Sequence, residues 1–174
     1  MNSSQQVAIV TGAARGIGLA TAQLFLAHGY QVALVDRDAD ELAIVTLELP
    51  HALGITCDIS DPESVNRLIK TVLDKFGRID ALINNAGVAE FKPLEETDFD
   101  CWRKIMSTNL DGVFLGCKHV IPKMRPHGGS IINMSSMTGV RAQGNLVAYN
   151  AAKAAVTHMT KSCALHFAEQ GYGI

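Results

Sequence analysis

Between residues 6 and 18 an apolar, β-branched run gives way to a glycine-rich loop and then to a helical pattern, and few folds accept that succession. Residues 6–11 (QVAIVT) are short, apolar and closed by Gly12, which predicts a buried strand. From Gly16 the spacing changes. Ile17, Ala20, Leu24 and Ala27 fall on one helical face, expected to be the buried one, and Gly29 stands where the helix should end. The loop between them, Thr11-Gly12-Ala13-Ala14-Arg15-Gly16-Ile17-Gly18, is T-G-x-x-x-G-x-G, a longer relative of G-x-G-x-x-G. Glycine at Gly12, Gly16 and Gly18 lets a backbone come close to a pyrophosphate, and the helix start behind it offers unpaired N–H groups. A tight β-α turn with incidental glycines is the plainer alternative; the strand-loop-helix context favours a dinucleotide.

The same alternation continues along the chain. Strands are predicted at 31–35, 53–57, 79–84 and 130–135, and helices at 38–49, 62–76, 97–124 and 148–167. The helix at 62–76 has the clearest signals. Ser60-Asp61-Pro62-Glu63 reads as a capping box with proline in the first turn. Val65, Leu68, Ile69, Val72, Leu73 and Phe76 form its apolar stripe, and Gly77 stops it. Strands alternating with helices predict an α/β fold, a doubly wound, Rossmann-like parallel sheet in a single domain over residues 1–174.

Composition narrows the function. A net charge of −2 on 174 residues argues against nucleic acid or an anionic membrane as partner. No apolar run approaches the roughly 18 residues of a membrane span, and residues 1–6 carry no basic residue of the kind a signal peptide uses. The four cysteines lie far apart without a CxxC pair, and the six histidines lack metal-ligand spacing. The expectation is a soluble, cytoplasmic protein without a catalytic metal.

Asp36, at the end of the second predicted strand, can accept hydrogen bonds from the hydroxyls of an adenosine ribose. Its charge would repel a 2′-phosphate, so it favours NAD over NADP. Arg15 and Arg37 pull the other way, since either can reach such a phosphate. In the second half, Tyr149 and Lys153 are four residues apart and share a helical face. Free tyrosine is a poor base at neutral pH, and an adjacent ammonium favours its phenolate. Ser136, just past the fifth strand, can hydrogen-bond a substrate oxygen, and Asn109 is a polar interruption in an apolar stripe that can order a water. Singly, each has a bland reading: a surface pair, a turn serine, an asparagine bonded to its own helix.

As an ordered set these residues resemble the short-chain dehydrogenases/reductases. The match runs through TGAARGIG at 11–18, Asp36, Cys57-Asp58-Ile59, Asn84-Asn85-Ala86-Gly87, Asn109, the segment 131–136 and Tyr149-Asn150-Ala151-Ala152-Lys153. The resemblance implies Tyr149 as general acid/base, with Lys153 tuning it and holding the nicotinamide ribose. It implies Ser136 as orienter of the substrate oxygen and Asn109 as the fourth member of a catalytic tetrad. Arg15, Ile17, Asp58, Ile59, Asn85, Ala86 and Gly87 would line the NAD site. It also implies an alcohol or ketone substrate and a homo-oligomer through helices 97–124 and 148–167. One departure stands out: members of the family continue past the Tyr-Lys helix, whereas the sequence stops where their sixth strand should begin. That predicts an exposed fifth strand and an open substrate side. It also leaves a second reading, a cofactor-binding or subunit-interaction module with weak or no catalysis.

Overall fold

In the computed structural model, residues 5–124, 128–168 and 172–174 are described. The elements follow the alternation. They are β1 (Val7–Thr11), α1 (Gly16–Ala27), β2 (Gln31–Asp36), α2 (Ala39–Glu48), β3 (Ala52–Thr56), α3 (Pro62–Phe76) and β4 (Ala81–Asn84), then α4 (Phe99–Met106), α5 (Gly112–Met124), β5 (Gly129–Asn133), α6 (Val147–Phe167) and β6 (Tyr172–Gly173). All strand pairings are parallel, in the order β3-β2-β1-β4-β5-β6. Strand order reverses between β1 and β4, and in open α/β sheets a crevice forms at the carboxyl ends of the strands beside such a switch.

Strand alternation divides the core in two. Val7, Ile9, Ala33, Val35 and Leu82 pack on one face of the sheet with the α3 and α5 stripes. Ala8, Val10, Val32, Leu34 and Ile83 pack on the other with α1 and α2. Both faces of β1 and β2 are covered, which is why these strands read as continuous apolar runs rather than alternating ones. Further along, the second face opens: Ile132 on β5 is exposed.

Four expectations need correction. The α1 face that packs on the sheet carries Gly18, Leu19, Ala22 and Phe25, whereas Ile17 and Leu24 are 67% and 61% exposed. Small residues win the buried side because the helix lies close against the loop, and apolar spacing alone does not reveal that. At α3 the N-cap is Asp61, whose carboxylate accepts from the Glu63 and Ser64 N–H groups. Ser60 instead donates to Asp58, so there is no capping box built on it. The long helix 97–124 is two α-helices joined by a π turn at Ser107–Asp111. Finally, the chain reaches into the sixth strand: Tyr172 and Gly173 pair with Gly129 and Ser130, so β5 is only partly an edge.

One buried carboxylate ties the far end of the sheet together. Asp80 accepts from the Val7 N–H at 2.8 Å and takes a two-point ion pair from Arg78. Removing it leaves a buried backbone donor and a guanidinium without this partner. Asp80→Ala is therefore expected to lower the unfolding free energy by about 2–4 kcal/mol. Urea denaturation measures this; a loss below about 0.5 kcal/mol would refute the tie.

Candidate active site

The glycine loop is held open by neighbours rather than by its own turn. Thr11 ends β1 buried, and its hydroxyl accepts from the Asn85 and Ala86 N–H groups at 3.0 and 3.1 Å while donating to the Ile83 carbonyl. The Asn85 amide returns the contact, donating to the Thr11 and Gly12 carbonyls. Two loops, one after β1 and one after β4, are thereby stitched across the switch point. The glycines fit this closeness. A Cβ on Gly12 (φ +65°) would lie 2.9 Å from the Ala86 Cα, and one on Gly18 would lie 2.0 Å from the Gly12 carbonyl oxygen. Gly16 (φ +57°) differs: nothing lies within 4 Å of its would-be Cβ, so the loop faces open space there.

Beside the loop opens a cleft of about 480 Å³. One wall carries Gly12, Arg15 and Ile17, the far end Asp36, Asp38 and Asp58, and the opposite wall Ile59, Asn85, Ala86 and Gly87. Asp36 is fixed at both oxygens, accepting from the Ala14 N–H and the Asp38 N–H at 3.1 Å each. Asp58 takes the Ser60 hydroxyl and N–H on one oxygen, and these bonds, the hydroxyl foremost, hold its carboxyl below the usual carboxylate range. Ile59 is buried beneath the cleft; a Cβ on Gly112 would lie 2.6 Å from its Cδ1. Of the sequence-derived cofactor set, Gly12, Arg15, Ile17, Asp36, Asp58, Ile59, Asn85, Ala86 and Gly87 line this cleft, Gly18 packs behind it against Gly12 and Asn85, and Gly16 is not part of the lining. Asn85 departs from its expected role in one respect, since its amide N–H groups are engaged by the loop itself.

A second constellation sits beside it. Lys153 is 3% exposed, and its ammonium donates to the Met134 carbonyl at 2.6 Å. Burial lowers its pKa from the ordinary lysine value. The ammonium lies 5.7 Å from the centre of the Tyr149 ring, one turn away on α6. The segment after β5 is clamped onto α6 at this level: the Ser135 hydroxyl donates to the Lys153 carbonyl at 3.1 Å and meets Thr157 Oγ1 at 2.5 Å. A Cβ on Gly139 would lie 2.7 Å from that same carbonyl. Ser136 follows directly. Its oxygen accepts from the Thr138 N–H and hydroxyl, so its own hydroxyl proton remains available to donate.

Asn109 is fully buried in the π turn, a distortion that gathers at functional sites. Its amide clamps the backbone of one residue, accepting from the Val88 N–H at 2.8 Å and donating to the Val88 carbonyl at 2.7 Å. It therefore bonds neither its own helix backbone nor a neighbouring side chain. Gly87 joins the two constellations: it lines the cleft, and a Cβ there would lie 3.3 Å from Asn109 Oδ1 and 3.8 Å from Lys153 Nζ.

Three features were not anticipated from the sequence. Thr11 was visible only as the first letter of the loop motif. Asp38 caps α2 through the Glu41 N–H and forms an ion pair with Arg15. Glu90, two residues past Val88, accepts from Lys104 at 2.8 Å and pairs with Lys92, and these bonds hold its carboxyl at about 2. Lys92 in turn hydrogen-bonds the Asn145 carbonyl, presented by a left-handed backbone (φ +58°), and so anchors the start of α6. Among the described residues there is no cluster of three or more metal-ligating side chains, and no helix is long and apolar enough to cross a membrane.

A parallel sheet in this order, with a glycine-lined cleft at its switch point, defines a doubly wound dinucleotide-binding fold. Residues 6–174 match the family model described as short chain dehydrogenase, and the chain belongs to that family. It is 41% identical to cis-4-hydroxycyclohexanecarboxylate dehydrogenase of Sinomonas cyclohexanicum, over 97% of this chain and 70% of that protein. It is 41% identical to the NADP-dependent (R)-specific alcohol dehydrogenase of Lentilactobacillus kefiri, over 97% and 69%. L-fucose dehydrogenase of Oryctolagus cuniculus shares 40%, over 97% and 59%. The chain thus spans about 59–70% of the length of these relatives. Among solved structures, 3-ketoacyl-(acyl-carrier-protein) reductase from Brucella melitensis, complexed with NADH, superposes with a TM-score of 0.92 at 32% identity, over 96% of this chain and 71% of that one.

Proposed function

We propose that the protein is an NAD-dependent oxidoreductase that moves a hydride between nicotinamide and the carbinol or carbonyl carbon of an alcohol or ketone, with Tyr149 as general acid/base. The observation that carries this reading is Gly87, a single glycine that lines the dinucleotide cleft and on which a Cβ would lie 3.3 Å from Asn109 Oδ1 and 3.8 Å from Lys153 Nζ. Only such an adjacency puts a redox carrier and a proton-transfer group on the same substrate atoms. The nicotinamide, when bound, supplies the redox chemistry.

The chain's own residues do the rest. Gly12 and Gly18 let the loop close tightly on Asn85 and Ala86, Gly16 leaves the backbone bare for the pyrophosphate, and the first turn of α1 meets it with unpaired N–H groups. Asp36 receives the adenosine ribose hydroxyls, and Asp58 and Asn85 border the adenine side. Ser136 donates its free proton to the substrate oxygen. In oxidation Tyr149 takes the hydroxyl proton from the substrate, and in reduction it returns one to the carbonyl oxygen. Lys153 keeps a positive charge beside the phenol and stands by the nicotinamide ribose. Asn109 positions Val88, which packs with Tyr149, Ala148 and Ala152 in one apolar cluster.

Asp36 supports NAD over NADP, because a fixed carboxylate at the ribose end disfavours a 2′-phosphate. Thermal unfolding with each dinucleotide tests it. At about 100 times its dissociation constant NAD or NADH should add about 2.7 kcal/mol, a rise of roughly 5–10 °C for a chain of this size. NADP at equal concentration should give a clearly smaller rise; an equal or larger one refutes the preference. The cleft lining reaches Thr108 but includes neither Ser136 nor Tyr149, which favours the second reading of cofactor binding without turnover. An alcohol and ketone panel read by nicotinamide absorbance separates the two: turnover excludes it.

A further inference from the structure

The ribose end of the cleft holds a charge arrangement that the Asp36 reading does not use. Five charged side chains line it: Arg15 and Arg37 against Asp36, Asp38 and Asp58. A 2′-phosphate brings about two negative charges and needs a guanidinium to offset them. Arg15 is the residue best placed to serve, since it is the N-cap of α1 and projects from the loop itself. It is already engaged: its Nη2 donates to Asp38 Oδ2 in a short ion pair. The other oxygen of Asp38 caps α2 through the Glu41 N–H, so the carboxylate is held in place by the backbone. Its own N–H is bonded to Asp36 Oδ1, which fixes the spacing between the two carboxylates. Arg37 lines the same end and acts on Asp58, where it helps to lower that carboxyl.

We propose that Asp38 is a specificity-determining residue: by holding Arg15 it withholds the guanidinium that a 2′-phosphate would need, and so adds to the discrimination against NADP that Asp36 begins. This rests on the reading that the cleft takes a nicotinamide dinucleotide with its adenosine ribose at Asp36. The pair is solvent-exposed, with side chains 65% and 42% accessible, so its strength is that of a surface salt bridge. The latch is weak by design of its surroundings, and its release should change selectivity by a small, measurable factor rather than reverse it.

Calorimetric titration of the purified protein with NAD, NADP and adenosine 2′,5′-bisphosphate reads this without any turnover. Asp38→Asn removes the charge but retains an oxygen able to cap α2. It should raise the NADP-to-NAD affinity ratio by about two- to fivefold, with the bisphosphate gaining in parallel. In the double variant Arg15→Gln/Asp38→Asn the gain should vanish, because the released guanidinium is its source. Should Asp38→Asn fold poorly, Asp38→Ser keeps a capping hydroxyl and carries the same expectation. An unchanged ratio in the single variant overturns the latch. So does a gain that survives in the double variant, which would assign the effect to lost negative charge alone. Tighter binding of NADP than NAD by the wild-type protein would instead refute the underlying NAD preference.

Discussion

Tyr149→Phe is expected to lower kcat by about a hundred- to ten-thousand-fold, the range general acid–base groups supply. Only the phenolic oxygen is lost. The ring stays in its cluster with Val88, Ala148 and Ala152, and the Lys153 ammonium keeps an aromatic face 5.7 Å away. Substrate binding should therefore change far less than turnover, with KM moving by no more than about threefold, because the missing group acts chiefly in the transition state. NAD binding, followed by thermal shift, should persist. Steady-state kinetics on a substrate identified from the alcohol and ketone panel makes the measurement. A variant retaining more than about a tenth of wild-type turnover would remove Tyr149 from the acid/base role.

Gly18→Ala should damage both folding and cofactor binding. The new methyl would lie 2.0 Å from the Gly12 carbonyl oxygen and 2.6 Å from the Asn85 amide nitrogen, and the first of these is backbone. The loop has little room to yield. Gly12 is pressed against Ala86, and Asn85 is bonded to both the Thr11 and Gly12 carbonyls. Relief must move the loop bodily, at a cost of about 1–3 kcal/mol in stability. Because the proposed function has the pyrophosphate met by that same backbone, the dinucleotide dissociation constant should rise by about a hundredfold. Gly77→Ala makes the control. That glycine is the left-handed C-cap of α3, with open space at its Cβ, so it should cost about 1 kcal/mol and leave binding untouched. Urea denaturation and NAD titration of both variants distinguish a local clash from general destabilisation; equal binding losses would refute the clash.

Much of the architecture was legible because it is written in local signals. The β1 run, the glycine loop and the α3 stripe each depend on neighbours within a few residues, and α3 buries Val65, Leu68, Ile69 and Val72 of its stripe, half-buries Leu73 and Phe76, and has Gly77 at its C-cap. The residues around the cleft were legible for a related reason: Gly12, Asp36, Asp58 and Asn85 follow or close the carboxyl ends of strands, which the parallel order gathers at one crevice. Tyr149 and Lys153 needed only helical spacing.

Other features depend on what lies across space. The apolar face of α1 was misassigned because Ile17 and Leu24 are spaced like a core stripe, yet close approach to the loop selects Gly18 and Ala22 instead. The π turn around Asn109 has no local signature, and its amide is satisfied by Val88, 21 residues away in sequence. The segment that carries Ser136 lies against α6 only because Ser135, Gly139 and Thr157 lock the chain after β5 onto that helix. Asp38 gave no signal in the sequence beyond standing at the start of a predicted helix, because its partner Arg15 lies 23 residues earlier. By itself the sequence determined which elements form and which backbone must stay bare, since dihedral preference and side-chain period act over a few residues. Tertiary structure alone decided which polar groups are already occupied by one another and which remain free for chemistry, because hydrogen bonds are settled by distance in space.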